Sequence, residues 1–211
     1  MLQTILNYLG VAVFASSGAT VGVRKGFDLF GIAALGVVTG VGGGVLRDVL
    51  LDIMPPTSIQ NWPNITISLI AVAIATPLAH LVVRMNTAVL VLDAIGMGVL
   101  ATSSAAIAVD AGASWFAAGL IGMVASIAGG VVRDVLANEV PLVMGPDELY
   151  AVPALLGAGT YVAIDYVGPQ WVAIMVGSTV ATALRLAGMA FHWRLPTGPR
   201  ALINPAPGST E

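Results

Sequence analysis

Two arginine–aspartate pairs, each preceded by a glycine cluster, are the residues of this chain whose types and spacing could do chemistry. They lie in a motif at residues 40–55 (GVGGGVLRDVLLDIMP) that recurs 86 residues later at 126–141 (SIAGGVVRDVLANEVP). The copies are identical at eight of sixteen positions, namely Gly43/Gly129, Gly44/Gly130, Val45/Val131, Arg47/Arg133, Asp48/Asp134, Val49/Val135, Leu50/Leu136 and Pro55/Pro141. Charged side chains at the end of a long apolar run are costly in a membrane and typically mark a path for ions or polar solutes.

The glycines of each motif have two physical explanations. Glycine inside a helix costs about 0.5–1 kcal/mol relative to alanine. A broken or kinked helix could expose carbonyls to a polar path, whereas small residues could also simply allow close helix packing. Three adjacent glycines cover all sides of a helix and therefore favour the path. The predicted pathway residues are Gly42, Gly43, Gly44, Arg47, Asp48, Ser126, Gly129, Gly130, Arg133 and Asp134.

The charged residues need partners. Successive helical residues point about 100° apart, so we expect each arginine to bind a residue on another helix rather than its neighbouring aspartate. Asn7 is the predicted partner of Arg47, and its repeat equivalent Asp93 that of Arg133. Hydroxyls in two spans could support a hydrated path or bond to their own helix backbone; they belong to Ser16, Ser17, Thr20, Thr102, Ser103 and Ser104.

Composition indicates which elements position these residues. The chain has 211 residues, of which 57% are hydrophobic and 9% charged, far below the quarter or so of charged residues in soluble domains. It is therefore predicted to be an all-α integral membrane protein whose surroundings are the lipid bilayer. Cysteine is absent and only two histidines occur, so we expect no metal site or cofactor, and no basic run suggests nucleic acid.

Seven spans of about 20 apolar residues are predicted. An offset of 86 residues aligns the first three spans with spans four to six. Because each copy has an odd number of spans, the second copy is inverted in the membrane relative to the first. An inverted repeat of this kind is typical of transport proteins. We predict repeats at 1–86 and 87–169, a seventh helix within 170–195 and a disordered tail at 196–211. The spans are expected at 3–22, 28–50, 63–83, 87–109, 113–136, 149–165 and 170–191.

Basic residues predict the orientation, because cytoplasmic loops are enriched in them. One side of the seven-span arrangement holds Arg24, Lys25, Arg84, Arg194 and Arg200, which places the N-terminus outside and the C-terminus in the cytoplasm. No cleavable signal is evident, so residues 1–20 are expected to be retained. Arg185 is expected to snorkel toward the cytoplasm or contact the fifth span, and His80 to lie at the interface. The predicted aromatic belt consists of Trp62, Trp115, Trp171 and Trp193.

The doubled G-G-x-x-R-D-x-L motif, at 43–50 and 129–136, resembles the prokaryotic members of the trimeric intracellular cation channel (TRIC) family. These overlap with small bacterial membrane proteins proposed to transport glycine. The resemblance covers residues 1–195. It implies a homotrimer in a prokaryotic plasma membrane. Each subunit would carry a K⁺ and Na⁺ pore between the two repeats, lined by the kinked, glycine-rich second and fifth helices. Bound lipid is also consistent with it.

Animal members of that family carry a Lys-Glu-Val segment, linked to phosphoinositide, where this chain has Asn138-Glu139-Val140. The asparagine argues against dependence on that lipid. The leading hypothesis is a passive monovalent cation channel, and the alternative is a small amino-acid transporter that uses the same repeat. An intramembrane enzyme is disfavoured, because the spans contain no histidine cluster, Ser-His pair or acid pair.

Overall fold

The computed structural model describes residues 2–82, 86–145 and 149–193, with side chains described except for residue 2 and residues 80–88. In these ranges the regular elements are α-helices and one 3₁₀ turn. They are α1 (Leu2–Arg24), α2 (Leu29–Leu50), α3 (Thr57–Gln60), α4 (Trp62–Val82), α5 (Asn86–Asp110), α6 (Trp115–Leu136), a 3₁₀ turn (Leu142–Met144), α7 (Ala151–Asp165) and α8 (Gln170–Ala190).

Six of the described helices are long and apolar enough to cross a membrane, namely α1, α2, α4, α5, α6 and α8. Helix α7 has 15 residues, which gives a length of about 22 Å, less than a bilayer core. The all-helical membrane fold is thus confirmed with six apolar helices and a shorter one. The sequence did not predict the short helix α3. The predicted tail at 196–211, Arg84, Arg194, Arg200 and the His80 side chain lie outside the described residues.

Equivalent capping residues begin α2 and α6. The Asp28 carboxylate accepts a hydrogen bond from the Gly31 amide at 2.7 Å, and the Ser114 hydroxyl accepts one from Ala117 at 3.3 Å. Both are short polar N-caps of the preferred kind. The turns before them contain Gly26 at φ 71° and Gly112 at φ 85°, a left-handed conformation that glycine adopts without a steric penalty.

The C-terminal ends of α2 and α6 are also alike. Asp52 and Asn138 have φ values of 57° and 55°, so each helix ends in a left-handed residue. The amide of the following residue reaches back to the aspartate of the motif, from Ile53 to the Asp48 carbonyl and from Glu139 to the Asp134 carbonyl, both at 2.8 Å. The chain therefore leaves both motifs in the same direction relative to the helix.

Helices α1, α2, α5 and α6 form the centre of the bundle. Helix α1 packs on α2, α4 and α5, while α5 packs on α6, α7 and α8, and α2 contacts α6 directly. The predicted aromatic anchors all point outward, with exposed fractions of 45% or more for Trp62, Trp115, Trp171 and Trp193. An apolar outer surface surrounds a centre that contains nearly all of the buried charges.

Candidate functional site: two arginine sites on either side of a glycine crossing

The motif glycines lie where α2 crosses α6. A Cβ on Gly43 would overlap the carbonyl oxygen of Ala125, and a Cβ on Gly129 would overlap that of Thr39. The two contacts are reciprocal, because Gly43 and Thr39 correspond to Gly129 and Ala125 at the 86-residue offset. Residue numbers rise along α2 as they fall along α6, so the two helices are antiparallel. Both helices continue through their glycines, so the helix is not broken there, while the kink stays a prediction. Close packing accounts for Gly43 and Gly129.

A second reciprocal crossing joins α1 to α5. A Cβ on Gly10 would lie 2.8 Å from the Leu100 side chain, and one on Gly96 would lie 2.8 Å from Phe14. Phe14 and Leu100 are themselves equivalent in the repeat and are buried at the centre. They also reach the α2–α6 crossing. The Phe14 ring would lie 3.7 Å from a Cβ on Gly129, and a Leu100 methyl group would lie 3.7 Å from a Cβ on Gly43. Together these residues form the central layer, which is closed.

The site at the end of α6 is built around Arg133, which is 1% exposed. Its Nη1 donates to Asp93 Oδ1 at 2.8 Å and to Ser17 Oγ at 2.6 Å, and its Nε donates to Asp134 Oδ1 at 2.8 Å. The predicted pairing of Arg133 with Asp93 is therefore found. Buried charges are retained in a structure when they are paired and fully hydrogen-bonded, as here.

Tyr150 completes the Arg133 site, and sequence reasoning missed it. Its hydroxyl donates a short hydrogen bond to Asp93 Oδ2. Arg185 lies over its ring, 4.7 Å from the centroid, and donates to the Leu149 carbonyl at 2.9 Å. Arg185 is buried, which contradicts the snorkelling alternative, while its contact with the fifth span stays a prediction. Tyr150 could have been found from the repeat, because it stands 86 residues after Asn64, another polar residue.

The site at the end of α2 has a different set of partners. Arg47 donates from Nε and Nη2 to Asp48 Oδ1, at 2.8 and 2.6 Å. Asn7 does not bind Arg47 as predicted, because its amide donates instead to Asn64 Oδ1 at 3.2 Å. Arg47 is 3% exposed, and its Nη1 has no hydrogen-bond partner among the described residues.

Both motifs contradict the prediction that neighbouring arginine and aspartate cannot bind each other. The arginine side chain is long enough to fold back along the end of its helix, so the 100° separation of the Cβ atoms does not prevent contact. The second carboxylate oxygen then binds the next segment. Asp48 Oδ2 accepts from Thr57 Oγ1 at 2.7 Å, and Asp134 Oδ2 accepts from the Leu142 amide at 3.0 Å.

Each arginine lines a polar cavity, and the two cavities lie at opposite ends of the antiparallel α2 and α6. The Arg47 cavity has a volume of about 190 Å³ and is lined by Gln3, Thr4, Asn7, Tyr8, Arg47, Thr57, Asn61, Asn64 and Ile107. The Arg133 cavity has a volume of about 360 Å³ and is lined by Val21, Arg24, Val89, Leu90, Arg133, Asp134, Glu139 and Leu142.

An ion-pair cluster stands beside the Arg133 cavity. Glu139 Oε1 lies 2.9 Å from Arg24 and 2.8 Å from Lys25. Partial burial disfavours the charged carboxylate, but the hydrogen bond from Lys25 and the two positive charges outweigh it and lower the pKa of Glu139. The cluster joins the end of α1 to the segment that follows α6.

Most of the predicted hydroxyls bond to their own helices. Ser126 donates to the Met123 carbonyl at 2.8 Å, and Ser103 to the Leu100 carbonyl at 3.4 Å. Ser17 accepts from Arg133 instead, Thr102 also shares a hydrogen bond with Ser178 of α8, and Ser104 Oγ has no partner among the described residues. Gly44 and Gly130 make room for polar groups, because a Cβ there would meet the Ser58 hydroxyl and the Tyr150 hydroxyl respectively. A Cβ on Gly42 would make only an ordinary contact, 3.8 Å from Gly129 Cα.

The full chain is similar to solved cation-channel structures. A TRIC trimeric intracellular cation channel orthologue from Rhodobacter sphaeroides is 32% identical, with a TM-score of 0.87 over 91% of this chain and 99% of that one. A structure described for conductance through TRIC cation channels is 34% identical, with a TM-score of 0.83 over 94% of this chain and 98% of the other.

Sequence relatives cover 73% to 93% of the chain. The UPF0126 inner membrane protein YadS of Escherichia coli is 34% identical over 93% of this chain and 96% of its own. A UPF0126 membrane protein of Deinococcus radiodurans is 40% identical over 73% of this chain and 72% of its own. A family model described as glycine transporter matches twice, at residues 4–80 and 90–166. The chain is thus a membrane protein that belongs to the glycine transporter (UPF0126) family, whose structural neighbours are the TRIC channels.

Proposed function

We propose that the protein is a passive channel for monovalent cations, K⁺ and Na⁺, with a pathway inside each subunit between the two repeats. The observation that carries the proposal is the likeness over more than nine-tenths of the chain to TRIC cation channels, at 32–34% identity. Such a likeness extends to the helices that build both arginine sites. The resemblance noted from the doubled motif leads to the same function.

The geometry supports a pathway through the centre. The two cavities at Arg47 and Arg133 lie on opposite sides of the central layer, which Phe14 and Leu100 fill. The reciprocal antiparallel crossings, together with the double family match 86 residues apart, lead us to infer an inverted repeat of residues 1–86 and 87–169, followed by a seventh helix. Conduction then requires Phe14 and Leu100 to move aside.

Carboxylates at the Arg133 site could interact with a passing cation. Asp93 and Asp134 bind the guanidinium of Arg133, and Glu139 binds Arg24 and Lys25, so these charges balance and leave no negative excess beside the cavity. Rings and clusters of carboxylates attract cations in many channels. The arginine itself limits the local field and would lower the conduction rate.

We further propose a homotrimer in a prokaryotic inner membrane, with the N-terminus outside and lipid bound around it. The inner-membrane location follows that of YadS. The orientation rests on Arg24 and Lys25, which lie together at the end of α1. Reporter fusions at the two termini would test it, since the termini are expected on opposite sides.

Ion flux from liposomes tests the channel directly. Purified wild-type protein should release K⁺ down its gradient far faster than empty liposomes do. Leu100→Ala should raise that flux, because it shortens a side chain that closes the central layer. Ile74→Ala, at a site 59% exposed on the outside of α4, is the matched control and should leave flux unchanged. Flux equal to that of empty liposomes, from protein shown to be folded, would contradict the proposal.

A glycine transporter is the second candidate, and a specific observation favours it besides the family description. Polar side chains line a cavity at each end of α2 and α6, and transporters built from inverted repeats bind their substrate between the repeats. Uptake of labelled glycine into the same liposomes distinguishes the two functions. Saturable glycine uptake without comparable K⁺ flux would replace the channel with the transporter.

A further inference from the structure

Helix α8 stands outside the two repeats, yet it contributes a buried charge next to the Arg133 site. Arg185, on α8, is fully buried. Its Nη1 donates to the Leu149 carbonyl at 2.9 Å, and its guanidinium lies 4.7 Å from the centroid of the Tyr150 ring. The face of an aromatic ring attracts a cation, most strongly where water is excluded. Arg185 therefore contacts both the Tyr150 ring and the backbone just before it.

The equivalent residue of the first half is held differently. Asn64, 86 residues before Tyr150, lies within α4, and its side-chain amide donates to the Thr57 carbonyl at 3.4 Å. Its backbone position is thus set by its own helix. Tyr150 instead precedes the first residue of α7, and its side chain makes no capping hydrogen bond to that helix. The orientation of the Tyr150 ring therefore depends on contacts from other elements, and Arg185 provides one of them.

The contacts of Tyr150 continue to the motif arginine and to α1. The Tyr150 hydroxyl donates to Asp93 Oδ2, and Asp93 Oδ1 accepts from Arg133 Nη1 at 2.8 Å. The same Nη1 donates to Ser17 Oγ at 2.6 Å. Ser17 stands three residues after Phe14 on α1, so the two lie on neighbouring turns of one helix face. A series of hydrogen bonds thus connects Tyr150 to the vicinity of the central layer.

We propose that Arg185 is a positioning residue for the Arg133 site. It keeps the Tyr150 hydroxyl directed at Asp93, and the carboxylate held in this way keeps Arg133 fixed against α1. Without Arg185 the ring can turn away, Asp93 loses a donor, and the cavity beside Arg133 opens more often. Helix α8 thereby sets how firmly this one site is closed. The role concerns the site itself, so it does not depend on whether the protein conducts cations or transports a solute.

A reporter cysteine tests the proposal, because the chain has no cysteine of its own. Leu90→Cys places a thiol among the residues that line the Arg133 cavity. Its rate of modification by a small methanethiosulfonate reagent, in detergent, measures how often that cavity opens. Arg185→Met, which keeps a long side chain, should raise the rate about tenfold, the effect of losing one hydrogen bond to a charged group. Tyr150→Phe removes only the hydroxyl and should raise it by a similar factor.

Combined variants separate positioning from general stability. If Arg185 acts through Tyr150, the double variant Arg185→Met/Tyr150→Phe should react no faster than Tyr150→Phe alone. Arg185→Lys keeps a cation near the ring and should raise the rate less than Arg185→Met does. The matched control is Ile107→Cys, which lines the Arg47 cavity, and Arg185→Met should leave its rate unchanged.

Three results would overturn the proposal. In the first, neither Arg185→Met nor Arg185→Lys changes the modification rate of Leu90→Cys. In the second, the effects of Arg185→Met and Tyr150→Phe multiply, so that the two residues act independently. In the third, Arg185→Met raises the rate of Ile107→Cys as much as that of Leu90→Cys, as a general loosening of the fold would do. None of these readouts involves ion flux, so they are separate from the test of the channel.

Discussion

The two halves of the molecule share a backbone framework but differ in their electrostatics. Both use the same glycine crossings, the same caps and the same arginine–aspartate contact. In the second half, Asp93 and Tyr150 close the network around Arg133. In the first half, Asn7 and Asn64 bind each other, and Arg47 Nη1 has no partner among the described residues. Two side-chain differences thus distinguish an arginine whose Nη1 binds a carboxylate from one whose Nη1 does not.

The comparison also separates structural roles from roles in binding. Both halves retain the close approach of the helix backbones at the glycines. Both also retain an aspartate that binds the segment after its helix, through Thr57 to Asp48 and through Leu142 to Asp134. Features that differ are the residues at the equivalent positions Asn7/Asp93 and Asn64/Tyr150, which belong to the two arginine sites. We therefore expect variants of the shared features to affect both halves alike, and variants of the differing features to affect one half much more than the other.

The largest expected effect is that of Asp93→Asn. It leaves the Arg133 charge buried without its principal partner, and breaking a buried pair costs about 3–5 kcal/mol. The equivalent variant Asn7→Ala removes one neutral hydrogen bond and should cost about 1 kcal/mol. Unfolding of the purified protein in mixed detergent micelles measures both free energies.

A double-mutant cycle sharpens the same comparison. Asp93→Asn combined with Arg133→Gln should cost less than the sum of the single variants, because each single variant already removes the pair. Additive costs would show that Asp93 and Arg133 do not interact energetically, despite the 2.8 Å separation of their charged atoms.

The next effect concerns the shared crossing. Gly43→Ala and Gly129→Ala each place a methyl group against a backbone carbonyl of the other helix, which should destabilise the protein by about 1–3 kcal/mol through overpacking. The two costs should be similar, because the contacts are reciprocal. Gly119 has open space at its Cβ position, so Gly119→Ala should be neutral or slightly stabilising. If the free energies of unfolding of Gly43→Ala and Gly129→Ala differed greatly, the two halves would not contribute equally to the stability of the helix crossing.

The smallest effect is that of the ion-pair cluster at Glu139, which has no equivalent in the first half, where Ile53 occupies the position. Its lowered pKa means that the ionised form is favoured in the folded state. The stabilisation is therefore present above the ordinary glutamate pKa and is lost as the pH falls through the lowered value. It should amount to about 0.2–1 kcal/mol, as for other partly exposed pairs. Glu139→Gln should remove this pH dependence, and high salt should weaken it in wild type.

Much of this organisation could be predicted from the 86-residue offset. The repeat pairs Asn7 with Asp93, and it was this equivalence that identified the contact between Asp93 and Arg133. It failed for Asn7 itself because the partner of Asn7 is Asn64, whose equivalent is the chemically different Tyr150. Similarity of residue type cannot reveal that correspondence, although position can.

The remaining differences from expectation have local physical causes. Periodicity on a helix describes Cβ directions, so it could not show that the Arg47 side chain folds back to Asp48. A glycine cluster is compatible with both a break and a close contact, and only the neighbouring Ala125 carbonyl distinguishes them. The short helix α3 has four residues, too few for a periodic apolar pattern.

The reciprocal crossings have a consequence for how such a protein could originate. Gly43 packs on Ala125 as Gly129 packs on Thr39, and Gly10 on Leu100 as Gly96 on Phe14. Contacts of this kind are those of a symmetric dimer, in which one surface is complementary to itself. A chain of half this length, inserted into the membrane in both orientations, would form the same centre by self-association. Fusion of two such chains would free each copy to change separately, as the different residues Asn7 and Asp93 illustrate.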